Sequence, residues 1–386
     1  MKIGIPKEVW RGERRVALLP SMVSLLTKED HEVLVERGAG EGSLAGDFEY
    51  EQAGAHIMDH VSSLYQSVDL ILKVQPPAFH PDLRRHESEL LKEGSTYIGF
   101  LSPLSNLDTL KIFVKRSITS FSMEYIPRLA RAQSMDALSS MSTVVGYKAV
   151  ILAAEKLGKM FPLLMTAAGT VAPATVLVLG AGVAGLEAIA TAKRLGAKVE
   201  AFDPRPTVEE QVKSLGAGFL EMEWAEDVEA AGGYAKEQSK EFIKRERETI
   251  GACLPRVDVV ICTAQVFGKR APLLISEEMV RLLRPGSVIV DLAAEQGGNC
   301  ALTEAGLTVQ KYGVSIIGAV NLAATVPIHA SLMYSRNITN LVLNIYKKDQ
   351  PFPDFDDEIT RACCITRNGE IVNDMVKKTI EQGAGP

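Results

Sequence analysis

The chain has 386 residues, 46% hydrophobic and 23% charged, a globular composition that excludes disorder or a collagen-like repeat as the main state. At roughly 150 residues per domain, this length predicts two domains or three small ones, each able to bury a core. The 42 Lys and Arg residues against 48 Asp and Glu give a net charge of −6. That balance argues against nucleic acid as the main partner, which would call for a basic stripe.

Five cysteines (Cys253, Cys262, Cys300, Cys363 and Cys364) do not make a disulfide framework, since the count is odd, two are adjacent and no CxxC pair occurs. A reducing cytosol fits best. The N-terminal MKIGIPKEVWRGERR has no apolar h-region, so no signal peptide is expected. No stretch reaches about 18 uninterrupted apolar residues. The most apolar region, 144–190, is broken by Lys148, Glu155, Lys156 and several glycines. The expected protein is soluble, without direct membrane insertion, and able to dock on a membrane-embedded partner.

In chain order, residues 2–6 read as a short strand and 21–28 as a helix with Ser21 as its N-cap. Strands follow at 32–36, 70–74, 97–101 and 119–123, separated by helix-length segments. This alternation predicts βαβ units and a parallel sheet. Residues 139–159 have helical spacing, ended by Gly158 and Pro162. A second alternation opens with a strand at 175–179, the turn Gly180-Ala181-Gly182-Val183-Ala184-Gly185, and a helix ending at Lys193-Arg194-Leu195-Gly196. Strand 198–202 ends in Asp203, and later strands are expected at 258–262, 287–291 and 314–318. Between Glu221 and Glu248 the chain is charged and short of periodic apolar residues, a candidate mobile loop. A helix through 331–346 is expected to return to the first domain, because the tail 347–386 is too short to fold alone. The predicted fold is α/β, with two Rossmann-like domains of parallel sheets and a cofactor in the cleft between them. The boundaries are 1–138 plus 325–386, and 139–324.

The GAGVAG run fits G-x-G-x-x-G in its required setting, between a strand and a helix with an acid at the end of the next strand. Gly180 permits the tight turn, Gly182 lets a pyrophosphate approach the backbone, and Gly185 lets helix and strand pack. The helix N-terminus offers N–H groups to phosphates. A packing turn that binds nothing is the plainer alternative. Asp203 is expected to accept from adenosine ribose hydroxyls and to disfavour a 2′-phosphate, favouring NAD(H). Arg205 suits either a 2′-phosphate or adenine stacking.

Residues 128–136 (RLARAQSMD) lie between a strand and a helix and are rich in donors and acceptors. They suit a carboxamide and a polarised ring, although Asp136 and Ser139 also suit a helix cap. Gly232-Gly233-Tyr234 combines hinge freedom with a ring that would close over a ligand, or forms an ordinary exposed loop. Residues 291–300 (DLAAEQGGNC) follow a buried strand at the end where open α/β sheets bind ligands, although a tight glycine turn also accounts for them. No histidine lies between 87 and 328, and no HExxH, metal-ligand spacing or GxSxG elbow occurs. An alcohol or amine dehydrogenase would need a general base, for which Lys73 is the substitute on offer.

RAQSMDALSS (131–140), GAGVAGLEAIATAKRLGA (180–197), AGGYAKE (231–237) and DLAAEQGGNC (291–300) closely resemble the NAD(H)-binding domain I of proton-translocating nicotinamide nucleotide transhydrogenase. The likeness runs over nearly the whole chain. It implies a dimeric NADH-binding subunit, the separate α1 subunit of a three-subunit bacterial enzyme. A partner domain III holds NADP(H), and a membrane domain II couples direct hydride transfer to proton movement. Such a chain is active only with its partners. It is cytoplasmic, held peripherally on the cytoplasmic face of the inner membrane.

By the same resemblance, Arg128, Gln133, Ser134, Met135, Asp136 and Ser139 match nicotinamide-side contacts, with Arg128, Gln133, Asp136 and Ser139 in catalytic roles. Val183, Asp203, Pro204 and Arg205 match the pyrophosphate and adenosine side, and Tyr234, beside Gly233, matches a mobile-loop tyrosine. Pro204, Glu246 and Gln265 fall at contact positions that vary among relatives. Transfer between two nicotinamides moves no proton at the reacting carbons, so a site without histidine is expected. Alanine dehydrogenase, with the same architecture and the Arg15 and Lys73 pattern, is the rival. Its substrate-site histidine aligns near Ser102 and its aspartate at Glu295, both altered here. A non-catalytic NAD-sensing subunit is the alternative of another class.

Overall fold

The computed structural model describes residues 1–222, 239–266, 268–347 and 352–381, and the backbone at 229–230 and 234–235. The chain divides into two compact units, Met1–Met141 with Ala323–Pro386, and Ser142–Leu322.

The first unit is built on an eight-stranded sheet. Its order is Glu370–Ile371, Cys364–Arg367, Thr119–Ser122, Thr96–Gly99, Leu70–Leu72, Lys2–Ile5, Glu32–Glu36 and His56–Met58. The six strands from Thr119–Ser122 to His56–Met58 are parallel. Runs such as Leu70–Leu72 are apolar throughout because both faces of a parallel sheet are covered. The last two strands are antiparallel, a departure from the all-parallel expectation. Asn368 and Gly369, at φ 51° and 76°, make a two-residue type I′ turn that joins them. Ile365, fully buried among Leu64, Tyr97 and Phe113, secures the tail to the sheet. Burial of one such side chain contributes about 1.5–3 kcal/mol.

The first helix spans Pro20–Lys28 and is capped by Leu19, with no side-chain cap. Ser21 is therefore not its N-cap. Proline's fixed φ and missing N–H suit the first helical position, so the helix begins one residue earlier than the serine suggests. The helix Pro327–Ile345 returns the chain to this unit.

The second unit carries a seven-stranded sheet in the order Gly218–Phe219, Lys198–Phe202, Thr175–Leu179, Val259–Cys262, Val288–Asp291, Val314–Gly318 and Thr308–Lys311. All neighbours are parallel except the last pair. That edge strand was not expected; a two-residue turn at Tyr312 and Gly313, both with positive φ, sets it antiparallel. One face packs Val176, Val178 and Ile261 with Ala149, Val150 and Ala153 of the helix Ala137–Lys156. By length and composition that helix, with a mean hydropathy of 1.4, is the one among the described residues able to cross a membrane. Here its buried Ala149, Val150 and Ala153 belong to the core of the second unit. The opposite face packs Leu177, Phe202 and Ile289 with Ile250 and Leu254.

The helix Lys240–Cys253 corrects the mobile-loop reading over its C-terminal part. Ser239 caps it by accepting from the Phe242 N–H at 3.2 Å, and Phe242, Glu246, Ile250 and Cys253 form its buried stripe. The stripe is hard to read in sequence because one of its four members is a carboxylate. All five cysteines are buried free thiols.

Candidate functional site

Strand Thr175–Leu179 lies between Lys198–Phe202 and Val259–Cys262, so the strand order reverses beside it. Ligands of open α/β sheets bind at such a switch point, outside the carboxyl ends of the strands. Gly180 leaves the strand at φ 99°, where an added Cβ would sit 2.6 Å from the Thr263 Oγ1. A Cβ on Gly185 would meet the Gly180 carbonyl oxygen at 1.9 Å, so close approach of helix to turn requires glycine. At Gly182 an added Cβ meets nothing within 4 Å, so this face of the turn is open. Gly182 caps the helix Val183–Arg194 without a side chain, and Val183 is exposed at its first position. The N–H groups of that first turn have no intrahelical acceptors and so offer an anion site.

Thr263, at the end of the neighbouring strand, donates to the Leu179 and Gly180 carbonyls at 3.1 and 3.0 Å. Asn299 fixes the following residues. Its Oδ1 accepts from the Ala264 N–H, and its Nδ2 donates to the Ala264 and Pro272 carbonyls. Asp291 in turn accepts from the N–H groups of Ala293, Asn299 and Cys300 and from the Thr303 hydroxyl. The DLAAEQGGNC segment is thus a scaffold for the strand ends. Sequence reasoning missed Thr263, although it is the first residue past an expected strand, and it singled out the segment holding Asn299 without giving that residue a role. Gln265 is exposed, and its Nε2 donates to the Leu292 carbonyl at 2.8 Å.

Asp203 is not the open acceptor expected of it. Its Oδ2 accepts from the Ala181 N–H at 2.7 Å and from Arg205 Nη2 at 2.8 Å. Its Oδ1 accepts from the Arg205 N–H and Nε at 2.9 and 2.8 Å. A guanidinium two residues away matches a carboxylate fork and closes on it once the strand ends. Pro204 is half-buried between them. Glu246 is buried, and burial pushes its carboxyl up to about 7, with Arg247 opposing the rise and Asp203 adding to it.

In the first unit, residues between the expected strand and helix form a 3₁₀ helix, Ala130–Met135. Ala132 and Met135 are buried. The Ser134 carbonyl accepts from Asn337 and Asn340 at 2.9 and 3.1 Å, and Arg131 pairs with Asp357 at 2.7 Å. Arg128, Gln133 and Ser134 are left exposed on this platform. Asp136 caps the next helix, accepting from the Ser139 N–H at 2.9 Å and the Ser139 hydroxyl at 2.6 Å. The capping reading of this pair holds. Asp136→Ala is expected to cost about 1 kcal/mol of stability, measurable by urea unfolding.

Lys73 is fully buried and contacts Glu87 and, at 3.5 Å, Glu8. Burial alone would lower its ammonium, but the two carboxylates hold it above the ordinary lysine range. Arg15 is committed to Glu13, to which Gln75 also donates. A lysine so held is a poor general base.

The second unit thus brings Gly180, Gly182, Val183, Gly185, Asp203, Pro204, Arg205 and Gln265 to neighbouring strand ends, with Glu246 coupled to Asp203. Arg128 to Ser139 belong to the first unit. Gly233 and the Tyr234 side chain lie outside the described residues; the Tyr234 backbone pairs antiparallel with Ala230.

Two family models match, "Alanine dehydrogenase/PNT, N-terminal domain" over residues 4–145 and "Alanine dehydrogenase/PNT, C-terminal domain" over residues 149–374. The chain is 46% identical to an NAD(P) transhydrogenase subunit alpha chain of Rhodospirillum rubrum, over 97% of this chain and 98% of that one. Among solved structures it is similar to a transhydrogenase from Sinorhizobium meliloti, with TM-score 0.86 and 38% identity over 96% of this chain and 100% of that one. An L-alanine dehydrogenase follows with TM-score 0.82 and 26% identity over 99% of each chain. With both halves of the architecture matched and nearly half of the residues shared with a transhydrogenase subunit, the chain belongs to the alanine dehydrogenase/PNT family, among the NAD(P) transhydrogenase alpha subunits.

Proposed function

We propose that this chain is the NAD(H)-binding subunit of a proton-translocating transhydrogenase. It acts as a homodimer with an NADP(H)-binding subunit and a membrane subunit, peripherally on the cytoplasmic face of the inner membrane. The observation that carries the reading is the glycine turn, closed to any side chain at Gly180 and Gly185 and open at Gly182 beside an exposed helix N-terminus. That shape suits a pyrophosphate. When bound, the nicotinamide would supply direct hydride exchange with a second nicotinamide.

The chain's residues bind and orient. Gly182, Val183 and the first helical turn would hold the pyrophosphate, with Asp203, Pro204, Arg205, Glu246 and Gln265 around the adenosine. Arg128, Gln133, Ser134, Met135, Asp136 and Ser139 would serve the nicotinamide end, where positioning and water exclusion govern the rate. Among these, Asp136 and Ser139 act by fixing the start of the helix that follows the platform.

The test is to mix the chain with an NADP-binding partner domain and follow hydride exchange between NADH and an acetylpyridine analogue of NADP+. No exchange above that of either component alone would reject the reading. Alanine dehydrogenase chemistry is disfavoured because Lys73 and Arg15 are already held by Glu8, Glu87 and Glu13. The chain is expected to bind NADH more tightly than NADPH and to show no pyruvate- and ammonia-dependent NADH oxidation at enzyme-like rates. Titration and a coupled absorbance assay check both.

A further inference from the structure

A glycine inside a helix is destabilising, because it gives up more backbone freedom on folding than any other residue and has no side chain to pack. Gly146 nevertheless stands buried in the middle of the helix Ala137–Lys156. An added Cβ there would sit 2.2 Å from the Ala184 carbonyl oxygen, and 3.0 and 3.1 Å from the Ala184 carbonyl carbon and Cα. All three are backbone atoms, so no change of rotamer relieves the clash. A close carbon–oxygen contact is about 3.3 Å, so a methyl group would force the two backbones apart by about 1 Å.

Ala184 is the second residue of the helix Val183–Arg194, whose first turn offers its N–H groups to an anion. The next residue, Gly185, brings that turn against the Gly180 carbonyl, which an added Cβ would meet at 1.9 Å. The turn is thus seated on two backbones, each approached across a glycine. Further along, Ala188 and Ala192 follow Ala184 at four-residue intervals and share a core with Ala149, Val150 and Ala153. Packing fixes the rest of both helices, so strain introduced at Gly146 falls on the exposed end, at Gly182 and Val183.

We infer that Gly146, outside the G-x-G-x-x-G run and carried by another helix, sets the position of the N–H groups that receive the cofactor's pyrophosphate. It is a positioning residue, touching no ligand and acting through Ala184. This rests on the proposed NAD(H) reading.

The experiment measures dissociation constants of NADH, ADP and adenosine for the full chain, Gly146→Ala and Gly251→Ala, with folding checked by circular dichroism. Gly251 is the control, a glycine of the helix Lys240–Cys253 where an added Cβ meets only the Leu282 and Met279 side chains at 4.0 Å. In Gly146→Ala the constants for NADH and ADP should both rise about tenfold, the size of one charge-assisted hydrogen bond, while that for adenosine, which has no phosphate, stays unchanged. Gly251→Ala should alter none of them. Unchanged ADP affinity in a folded Gly146→Ala reduces the glycine to a packing residue and overturns the inference. So does an equal loss for adenosine, which marks general distortion, or an equal loss in Gly251→Ala. Should Gly146→Ala not fold, hydrogen exchange of the native chain decides. ADP, but not adenosine, should raise amide protection at 183–186 and together with it at 145–148, and no rise at 145–148 overturns the inference. Failure of the native chain to bind NADH or ADP at all rejects the proposed function itself.

Discussion

Gln133→Ala is expected to slow hydride exchange about 10²-fold while leaving NADH affinity nearly unchanged, because a misplacement of about 1 Å in the reacting pair has a cost of that order. The side chain stands exposed on the 3₁₀ helix Ala130–Met135. Buried Ala132 and Met135, the bonds from Asn337 and Asn340 to the Ser134 carbonyl, and the Arg131–Asp357 pair hold that helix. Truncation at Gln133 breaks none of these, so the platform survives and only the proposed contact with the nicotinamide is lost. Single-turnover exchange with the partner domain, set beside an equilibrium titration, separates the two effects. Weakened binding with unimpaired transfer would reduce Gln133 to an affinity contact.

Lys73→Met is expected to destabilise the fold by about 3–5 kcal/mol, the range for removing one partner of a buried ion pair. It leaves Glu8 and Glu87 buried without their cation. Among the described residues Glu87 keeps the donations from the Tyr65 hydroxyl and the Ala78 N–H, and Glu8 mainly that from the Val74 N–H.

The loss depends on pH. In the native chain burial pushes Glu8 up to about 7, Lys73 opposing the rise and Glu87 adding to it. A group whose folded pKa is raised contributes stability that is complete below its unfolded value and lost as pH climbs through about 7. Without Lys73 the Glu8 carboxyl holds its proton more strongly, so the deficit is largest above pH 7 and shrinks in mild acid. Glu13 behaves oppositely. Burial would raise it, but Arg15 and Gln75 draw it down to about 2, so its contribution is present above the ordinary carboxylate range and fades as pH falls toward 2. Urea unfolding at pH 6 and 8.5 tests the claim, and a deficit under about 1 kcal/mol at the higher pH, no more than an exposed pair supplies, would refute it.

The sequence by itself determined what depends on neighbours along the chain. Strands Glu32–Glu36, Thr175–Leu179, Lys198–Phe202 and Val314–Gly318 end where their apolar runs end, and the helix after the glycine turn stops at Arg194, as its cations and Gly196 indicate. Gly180 needs positive φ and Gly185 needs close approach, and both requirements belong to a six-residue turn. The family resemblance was legible for the same reason, because its motifs are short and contiguous.

Only the tertiary structure decided which charges meet. Lys73 finds Glu8 because the strands Lys2–Ile5 and Leu70–Leu72 pair, and Glu87 because the helix Glu87–Leu90 starts against it. Asp203 is saturated by Arg205 because the backbone turns just there. The antiparallel edges depended on Asn368-Gly369 and Tyr312-Gly313, the first of them a hairpin signal present in the sequence and passed over. The helix holding Glu246 was hidden because an inward carboxylate reads as surface until its neighbours are seen to be core. Period and backbone preference are carried by a few adjacent residues, whereas the partner of a buried charge is set by whichever distant segment the fold brings against it.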